Sequence, residues 1–171
     1  MSKAFTREEN DGPEVPDLPP VASALPIGAV NYMTADGAER LRNELARLVE
    51  SDRPLLVDLA KDDPAEKRRL TVLDQRIFQI EQSLGNAQVV THTTGPADRV
   101  TFGATVTVRE KSGEESRYQI VGIDETDIES GAVSWLSPIA RALMNANVGQ
   151  RVRFKFPSGE AELEIVAIVY E

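Results

Sequence analysis

The residues best suited to chemistry are four carboxylates within nine positions of one another: Asp58, Asp62, Asp63 and Glu66. Exposed carboxylates stay ionised at neutral pH, and their oxygens are ligands that Mg²⁺ prefers. Two or three of them hold Mg²⁺ weakly, but they can complete a site that another protein half-builds. Each also has a structural use, because aspartates cap helices or form turns and a glutamate favours a helix N-terminus. On composition alone these structural uses are favoured.

Other kinds of catalytic site are excluded or disfavoured by residue type. The chain has no cysteine, which excludes disulfides, cysteine-ligated zinc, iron–sulfur clusters and thiol nucleophiles. Its one histidine, His92, excludes a multi-histidine metal site and disfavours a Ser–His–Asp triad. There is no Walker pattern and no G-x-G-x-x-G motif. The candidate chemistry that remains is therefore that of the carboxylates.

Charge and hydropathy limit the partners. The 171 residues include 19 Lys plus Arg and 28 Asp plus Glu, so the net charge is −9. Such a chain is repelled by bare nucleic acid, and any contact with nucleic acid is expected to run through a protein partner or a local basic patch. No apolar run approaches the length of a membrane span, and the N-terminus lacks the apolar region of a secretory signal. We expect a cytoplasmic protein.

The first 30 residues differ in composition from the rest of the chain. They hold five of the ten prolines and more acidic than basic residues. A segment so rich in proline and acidic residues is disfavoured from forming helices or strands. We predict a disordered, proline-rich acidic tail over residues 1–30.

Residues 31–85 carry the spacing of two antiparallel helices. Thr34 is the predicted N-cap of the first, and Pro54 should kink or interrupt it. Asp63 and Pro64 suit the first turn of the second helix, and Gly85 suits its end. Heptad-like apolar seams are predicted at Leu41, Leu45, Leu48, Leu55 and Leu59, and at Leu70, Leu73, Ile77, Ile80 and Leu84. The pattern predicts a coiled-coil hairpin with its tip near residues 61–66.

Residues 86–171 change to the two-residue period of strands. Alternating segments at 100–108, 117–123, 151–156 and 160–170 predict a small antiparallel sheet. Ser137 and Pro138 begin a short predicted helix ending at Asn145. Trp135 just before it is expected to be core rather than part of a protein-binding patch. The fold class is therefore α+β, a helical hairpin followed by a sheet with one helix across it.

Several motifs together resemble one family. They are Tyr32-Met33-Thr34-x-x-Gly37, Leu84-Gly85-Asn86-Ala87-Gln88-Val89-Val90, Phe102-Gly103-Ala104-Thr105-Val106, Tyr118-Gln119-Ile120-Val121-Gly122, Ser137-Pro138-Ile139-Ala140-Arg141 and Pro157-Ser158-Gly159-Glu160. In order and spacing the chain resembles the GreA/GreB family of bacterial transcription elongation factors over about residues 31–171.

The resemblance implies a fold, a partner and a site. It implies an FKBP-like C-terminal domain over 86–171 that docks at the rim of the RNA polymerase secondary channel, and a coiled coil that enters the channel. In typical members, acidic tip residues help to hold a catalytic Mg²⁺ of the polymerase, and the polymerase then cleaves backtracked RNA. By position, Asp62 and Asp63 are the candidate ligands of that shared Mg²⁺. The resemblance thus implies an accessory factor rather than an enzyme, with no cofactor of its own. The candidate polymerase-binding residues are Ser137, Pro138, Ile139, Ala140 and Arg141.

The tip departs from the family pattern. Lys61-Asp62-Asp63-Pro64-Ala65-Glu66 replaces the usual Gly-Asp-x-x-Glu-Asn sequence, and the hairpin is shorter by roughly a dozen residues, which would place the tip ~9 Å nearer the body. A Mg²⁺ ligand must lie about 2 Å from the ion. We therefore expect weak or no stimulation of RNA cleavage, as for the short-hairpin Rnk-type relatives.

Two readings from other classes stay open. An FKBP-like prolyl isomerase or chaperone would need an aromatic-lined pocket, and aromatic residues make up only 5% of the chain. An adaptor that dimerises through its hairpin is the second, although the first helix already offers a partner seam within the same chain. We expect a monomer.

Overall fold

The computed structural model describes residues 25–26, 28–92 and 94–171. The predicted tail therefore lies mostly outside the described residues. The described chain combines a helical region, residues 35–85, which we call the arm, with a mostly antiparallel sheet and a short helix in residues 94–171, which we call the β unit. Within these ranges no helix is both long enough and apolar enough to cross a membrane.

The arm begins at the predicted cap. The hydroxyl of Thr34 accepts a hydrogen bond from the amide of Gly37 at 3.0 Å and starts α1, Ala35–Arg47. A π-helical segment, Leu48–Asp52, follows, and then α2, Arg53–Leu59. The second side of the arm is α3, Pro64–Gly85, which packs against α1 and α2. Asn86, rather than the predicted Gly85, caps its C-terminus.

Pro54 accounts for the π-helical segment. A proline has no amide hydrogen, and in a regular α-helix its ring would clash with the carbonyl four residues earlier, here that of Glu50. The wider π turn relieves this crowding, and the amide of Arg53 donates to the carbonyl of Leu48 instead. The interruption predicted at Pro54 is confirmed, and its form is one extra residue in a single turn.

That extra residue corrects the predicted seam. One residue advances the face of a helix by about 100°, so side chains beyond the π segment change direction. Leu55 and Leu59, predicted to lie in the seam, are 66% and 58% exposed. Leu56 is half-buried and Ala60 is buried in their place. The seam on α3 needs no such correction, since none of its five predicted residues is exposed.

Two salt bridges join the two sides of the arm. The guanidinium of Arg76 donates to both carboxylate oxygens of Glu44, at 2.8 and 3.0 Å. Beyond the π segment, Nε of Arg53 donates to Oδ1 of Asp74 at 2.7 Å. In both cases the partner carboxylate raises the pKa of the guanidinium, first through the hydrogen bond. These contacts fix α1 and α2 side by side with α3.

The β unit is a six-stranded sheet. Its strands are β3 Gly95–Pro96, β4 Thr105–Glu110, β5 Glu115–Val121, β6 Ala132–Ser134, β7 Arg151–Phe156 and β8 Gly159–Tyr170. Neighbouring strands follow the order β3-β8-β4-β5-β6, and β7 also pairs with β8. The helix α4, Pro138–Leu143, is capped by Ser137 as predicted, although it ends two residues earlier.

Three features of the strands differ from the expectation, two in this sheet and one outside it. β6 pairs with β5 in parallel, so the sheet is not wholly antiparallel. The ten residues between them, which include a 3-10 helix at Ile123–Glu125, bring the chain back in the same direction. The strand predicted for residues 100–108 is β4, and it begins at Thr105 because Gly103 turns the backbone with φ +87°. A parallel pair of short strands, β1 Asn31–Thr34 and β2 Ala87–Val90, was not predicted.

The apolar side chains form two separate cores. One lies inside the β unit, where Val106, Val108, Ile120, Leu143 and Ile165 have no exposed surface. Trp135 packs against that core, as expected. The other lies in the arm and at its base, and is formed by Met33, Ala38, Leu41, Leu48 and Ile80. The leucines of the arm therefore pack on one another rather than into the sheet.

The position of the π segment makes a stability prediction. Replacing buried Leu48 by alanine should lower the free energy of unfolding by about 2–4 kcal/mol, through lost burial and the cavity left behind. The matched change Leu55→Ala should cost less than about 0.5 kcal/mol, because that side chain is already in water. Urea unfolding of both variants measures the difference, and equal losses would show that Leu55 lies in the seam after all.

Candidate functional site

The tip of the arm uses one of its two central carboxylates for structure. Oδ1 of Asp63 accepts a hydrogen bond from the amide of Ala65 at 2.7 Å and caps α3. Asp62 is exposed, and within the described part of the chain no donor is hydrogen-bonded to its carboxylate. Of the two candidate Mg²⁺ ligands, Asp62 is thus uncommitted and Asp63 has one oxygen engaged.

Two ion pairs flank these aspartates. Lys61 donates to Oδ1 of Asp58 at 2.7 Å, and this hydrogen bond, followed by the charge of the ammonium, lowers the pKa of the Asp58 carboxyl. Arg69 donates to Oε1 of Glu66 at 3.0 Å, while Oε2 of Glu66 is buried and has no hydrogen-bond partner among the residues that the structure describes. Both flanking carboxylates therefore have basic partners within the tip.

The tip does not form a metal centre from its own side chains. Across residues 25–26, 28–92 and 94–171, no three His, Cys, Asp or Glu side chains converge to hold a metal ion. Asp62 and one oxygen of Asp63 are fewer ligands than Mg²⁺ requires, so the chemistry of this donor set fits only a shared ion.

The second candidate surface is the segment Ser137–Arg141. Its serine hydroxyl accepts a hydrogen bond from the amide of Ala140 at 3.2 Å. Ala140 is fully buried, Ile139 is half-buried, and Pro138 and Arg141 are exposed. The side chains that a partner can reach are therefore Pro138 and Arg141, with part of Ile139, while Ser137 and Ala140 hold the helix in place.

The arm meets the β unit at an aromatic cluster. The ring of Tyr32 lies 5.6 Å from that of Phe102 and 5.2 Å from that of Trp135, edge-on to the latter. Such tilted and T-shaped contacts are favourable for aromatic quadrupoles. Nε1 of Trp135 is buried here without a hydrogen-bond partner in the described residues.

Beside this cluster lies a residue that sequence reasoning missed. Glu125, on the 3-10 helix, is buried and accepts hydrogen bonds from the amide and the hydroxyl of Thr34 and from the amide of Gly122. Asn31 adds a further link, since its Nδ2 donates to the carbonyl of Ser83 near the end of α3. Its contact with Gly122 is local, but no spacing in the sequence marks the contacts with Thr34, which lies 91 residues away in the chain.

Comparison with known proteins identifies the family. Residues 95–170 match the family model described as "Transcription elongation factor, GreA/GreB, C-term". The chain is 43% identical over 152 residues to the transcription elongation factor GreA of Alkalilimnicola ehrlichii, covering 81% of this chain and 96% of that protein. It is 37% identical over 153 residues to GreB of Neisseria meningitidis serogroup B, covering 82% and 94%.

A solved structure is also similar. The GreA factor homolog 1 (Gfh1) of Thermus thermophilus is 27% identical with a TM-score of 0.39, covering 82% of this chain and 99% of that one. The near full-length sequence matches, rather than this superposition, define the class: an elongation factor with a helical region followed by a sheet. The chain belongs to the GreA/GreB family of transcription elongation factors, as the motifs predicted.

The ion pair at the tip makes a titration prediction. Because the folded pKa of Asp58 is lowered, the pair favours the folded arm above the ordinary carboxyl value of 3.8, and this contribution disappears as the pH falls through the folded pKa. An NMR titration of the Asp58 carboxyl carbon should give a midpoint below 3.8, and Lys61→Ala should raise it. An unchanged midpoint in Lys61→Ala would contradict the assigned cause.

Proposed function

We propose that this protein binds RNA polymerase and regulates elongation, with its β unit docked at the rim of the secondary channel and its arm inside the channel. The observation that carries the proposal is the similarity to elongation factors along nearly their whole length, 96% of the GreA of A. ehrlichii. The relatives are named for transcription elongation, and the polymerase is the enzyme on which such factors act. The chain itself then needs no catalytic residues.

The arm has the dimensions for this role. With 22 residues at 1.5 Å each, α3 is about 33 Å long. Its seam residues Leu73, Ile77, Ile80 and Leu84 pack within the arm, and the aspartates lie at the end opposite the junction with the β unit. An antiparallel coiled coil is the arrangement supported by the α3 seam and by the Arg76–Glu44 salt bridge.

The β unit supports an FKBP-like fold and a docking role. A short helix, α4, follows the edge strand β6 of a mostly antiparallel sheet and contacts β6 and β7. Pro138 and Arg141 are exposed on α4, and we assign the polymerase contact to them and to the exposed part of Ile139. Ser137 and Ala140 contribute by capping the helix and packing beneath it.

Binding to the polymerase gives the first test of this proposal. The charge-reversing change Arg141→Glu should weaken binding to core RNA polymerase by about tenfold or more, because it removes a cation at the docking surface. Lys155→Glu makes the same change at an exposed residue on β7 and should have little effect. Binding is measured by fluorescence anisotropy of the labelled full-length protein. Failure of the unmodified protein to bind core polymerase would overturn the proposal.

We further propose that the tip does not stimulate RNA cleavage strongly. Asp63 uses one oxygen as a helix cap, Asp58 and Glu66 are paired with basic residues, and only Asp62 is free of such contacts. A shared Mg²⁺ would thus obtain one fully available carboxylate from this chain. The role that fits is occupation of the channel, which limits access to the polymerase active site.

A cleavage assay on stalled, backtracked complexes distinguishes stimulation of RNA cleavage from occupation of the channel alone. We expect the protein to give less than about tenfold stimulation of RNA cleavage, since a carboxylate a few ångströms from Mg²⁺ cannot ligate it. Asp62→Asn/Asp63→Asn should leave that low rate unchanged. A GreA relative serves as the positive control. Strong cleavage by this protein that is lost in the double variant would show that the tip reaches the metal.

The chaperone alternative has less support. The pocket between the β4–β5 and β7–β8 turns has one aromatic lining residue, Phe154, among carboxylates and short side chains such as Glu110, Glu162 and Ser112. A prolyl-isomerase site requires an apolar pocket that encloses a proline ring. The chemistry of this pocket therefore does not favour that activity.

A further inference from the structure

The junction between the arm and the β unit contains a buried charge that the proposed function does not use. The side chain of Glu125 is 1% exposed. Its Oε2 accepts hydrogen bonds from the amide of Thr34 at 2.9 Å and from the amide of Gly122 at 3.0 Å. Its Oε1 accepts from the hydroxyl of Thr34 and lies 3.9 Å from Nη2 of Arg40. We call Glu125 and these three partners, Thr34, Gly122 and Arg40, the clasp.

The clasp connects the two parts of the protein. Thr34 and Arg40 belong to the start of the arm, and Gly122 and Glu125 belong to the β unit. Besides its two hydrogen bonds to Glu125, Thr34 accepts one from the amide of Gly37 through its hydroxyl and so caps α1. A carboxylate buried this deeply is stable only while its donors remain in place. Moving α1 away from the β unit would therefore remove most of the hydrogen bonds of a buried charge.

Steric fit at two glycines restricts the same junction. A Cβ added to Gly37 would lie 1.9 Å from Oε1 of Glu125, and one added to Gly122 would lie 2.3 Å from the carbonyl oxygen of Tyr32. Real Cβ atoms do not approach other atoms so closely, so both positions need glycine if the arm is to sit where it does. The backbone at Gly37 in the arm and at Gly122 in the β unit is thus closely packed around the Glu125 carboxylate.

The length of the arm makes its direction matter. At the end of a helix about 33 Å long, a tilt of 10° at the junction moves the tip by roughly 6 Å. Contacts made by the tip depend on far smaller displacements than this. An arm that acts at its tip therefore needs a junction with one fixed angle.

We propose that Glu125 is a positioning residue whose buried carboxylate fixes the direction in which the arm leaves the β unit. The consequence for the polymerase rests on the proposed function, but the direction of the arm is a property of the free protein. The proposal can therefore fail or succeed whether or not the protein binds polymerase.

The test measures the distance between the arm and the β unit in solution. The chain has no cysteine, so Ala65→Cys at the tip and Val148→Cys in the β unit, both exposed, can carry two spin labels on the full-length protein. Pulsed electron spin resonance then gives the distribution of label distances. The labelled parent should show one narrow peak, and Glu125→Gln should broaden it at least about twofold, because an amide group opposes amide donors with an N–H of its own.

Two further variants control the result. Glu129→Gln removes the same charge four residues away at an exposed position and should leave the distribution unchanged. Gly37→Ala acts from the arm side, where alanine favours the helix but its Cβ displaces the carboxylate, and should broaden the peak as Glu125→Gln does. If Glu125→Gln does not fold, as judged by circular dichroism, Gly37→Ala decides.

The outcomes separate the clasp from general destabilisation. Broadening in the clasp variants alone, with the Tyr32, Phe102 and Trp135 cluster still giving native near-ultraviolet dichroism, supports the proposal. An unchanged narrow peak in a folded Glu125→Gln or Gly37→Ala protein would overturn it. Equal broadening in Glu129→Gln would also overturn it, because the effect would then follow the loss of any nearby charge.

Discussion

A buried charge must keep its hydrogen-bond donors, and this constraint organises the junction of the molecule. Glu125 sits where the helical arm meets the sheet, and its carboxylate draws Thr34 and Gly122 together. The same threonine starts α1, so helix initiation and docking of the arm depend on one side chain. Gly37 is required here for space rather than for backbone freedom, since a Cβ would occupy the position of the carboxylate.

The second constraint is the phase of the first helix. Pro54 forces a wider turn, and the extra residue in that turn rotates everything beyond it. Leu56 and Ala60 then face α3, and Leu55 and Leu59 face solvent. Beyond the π segment, α2 therefore contacts α3 with little buried surface and through the Arg53–Asp74 salt bridge. Before the π segment, α1 and α3 share a hydrophobic core. The aspartates are thus carried on the less tightly packed end.

Local signals in the sequence predicted much of this fold. Thr34, Asp63 and Ser137 cap helices as their types and positions suggested, and the α3 seam and strand β7 lie where periodicity placed them. A seam that crosses a π turn could not be predicted, because a periodic pattern assumes a constant number of residues per helical turn. The contacts between Glu125 and Thr34 span 91 residues and leave no local pattern. The parallel β5–β6 pairing depends on the path of a connection, which composition does not encode.

The family relationship and the geometry together describe an elongation factor whose arm carries few available carboxylates. The proposed function places the arm inside the polymerase and the β unit at the rim of the secondary channel. Site-specific photo-crosslinking tests this directly, with a photoreactive residue at exposed Lys67 beside the tip and another at Pro138 on α4. We expect the Lys67 probe to attach to polymerase residues lining the secondary channel and the Pro138 probe to residues at its rim. Attachment of the Lys67 probe to the outer surface of the polymerase would contradict it.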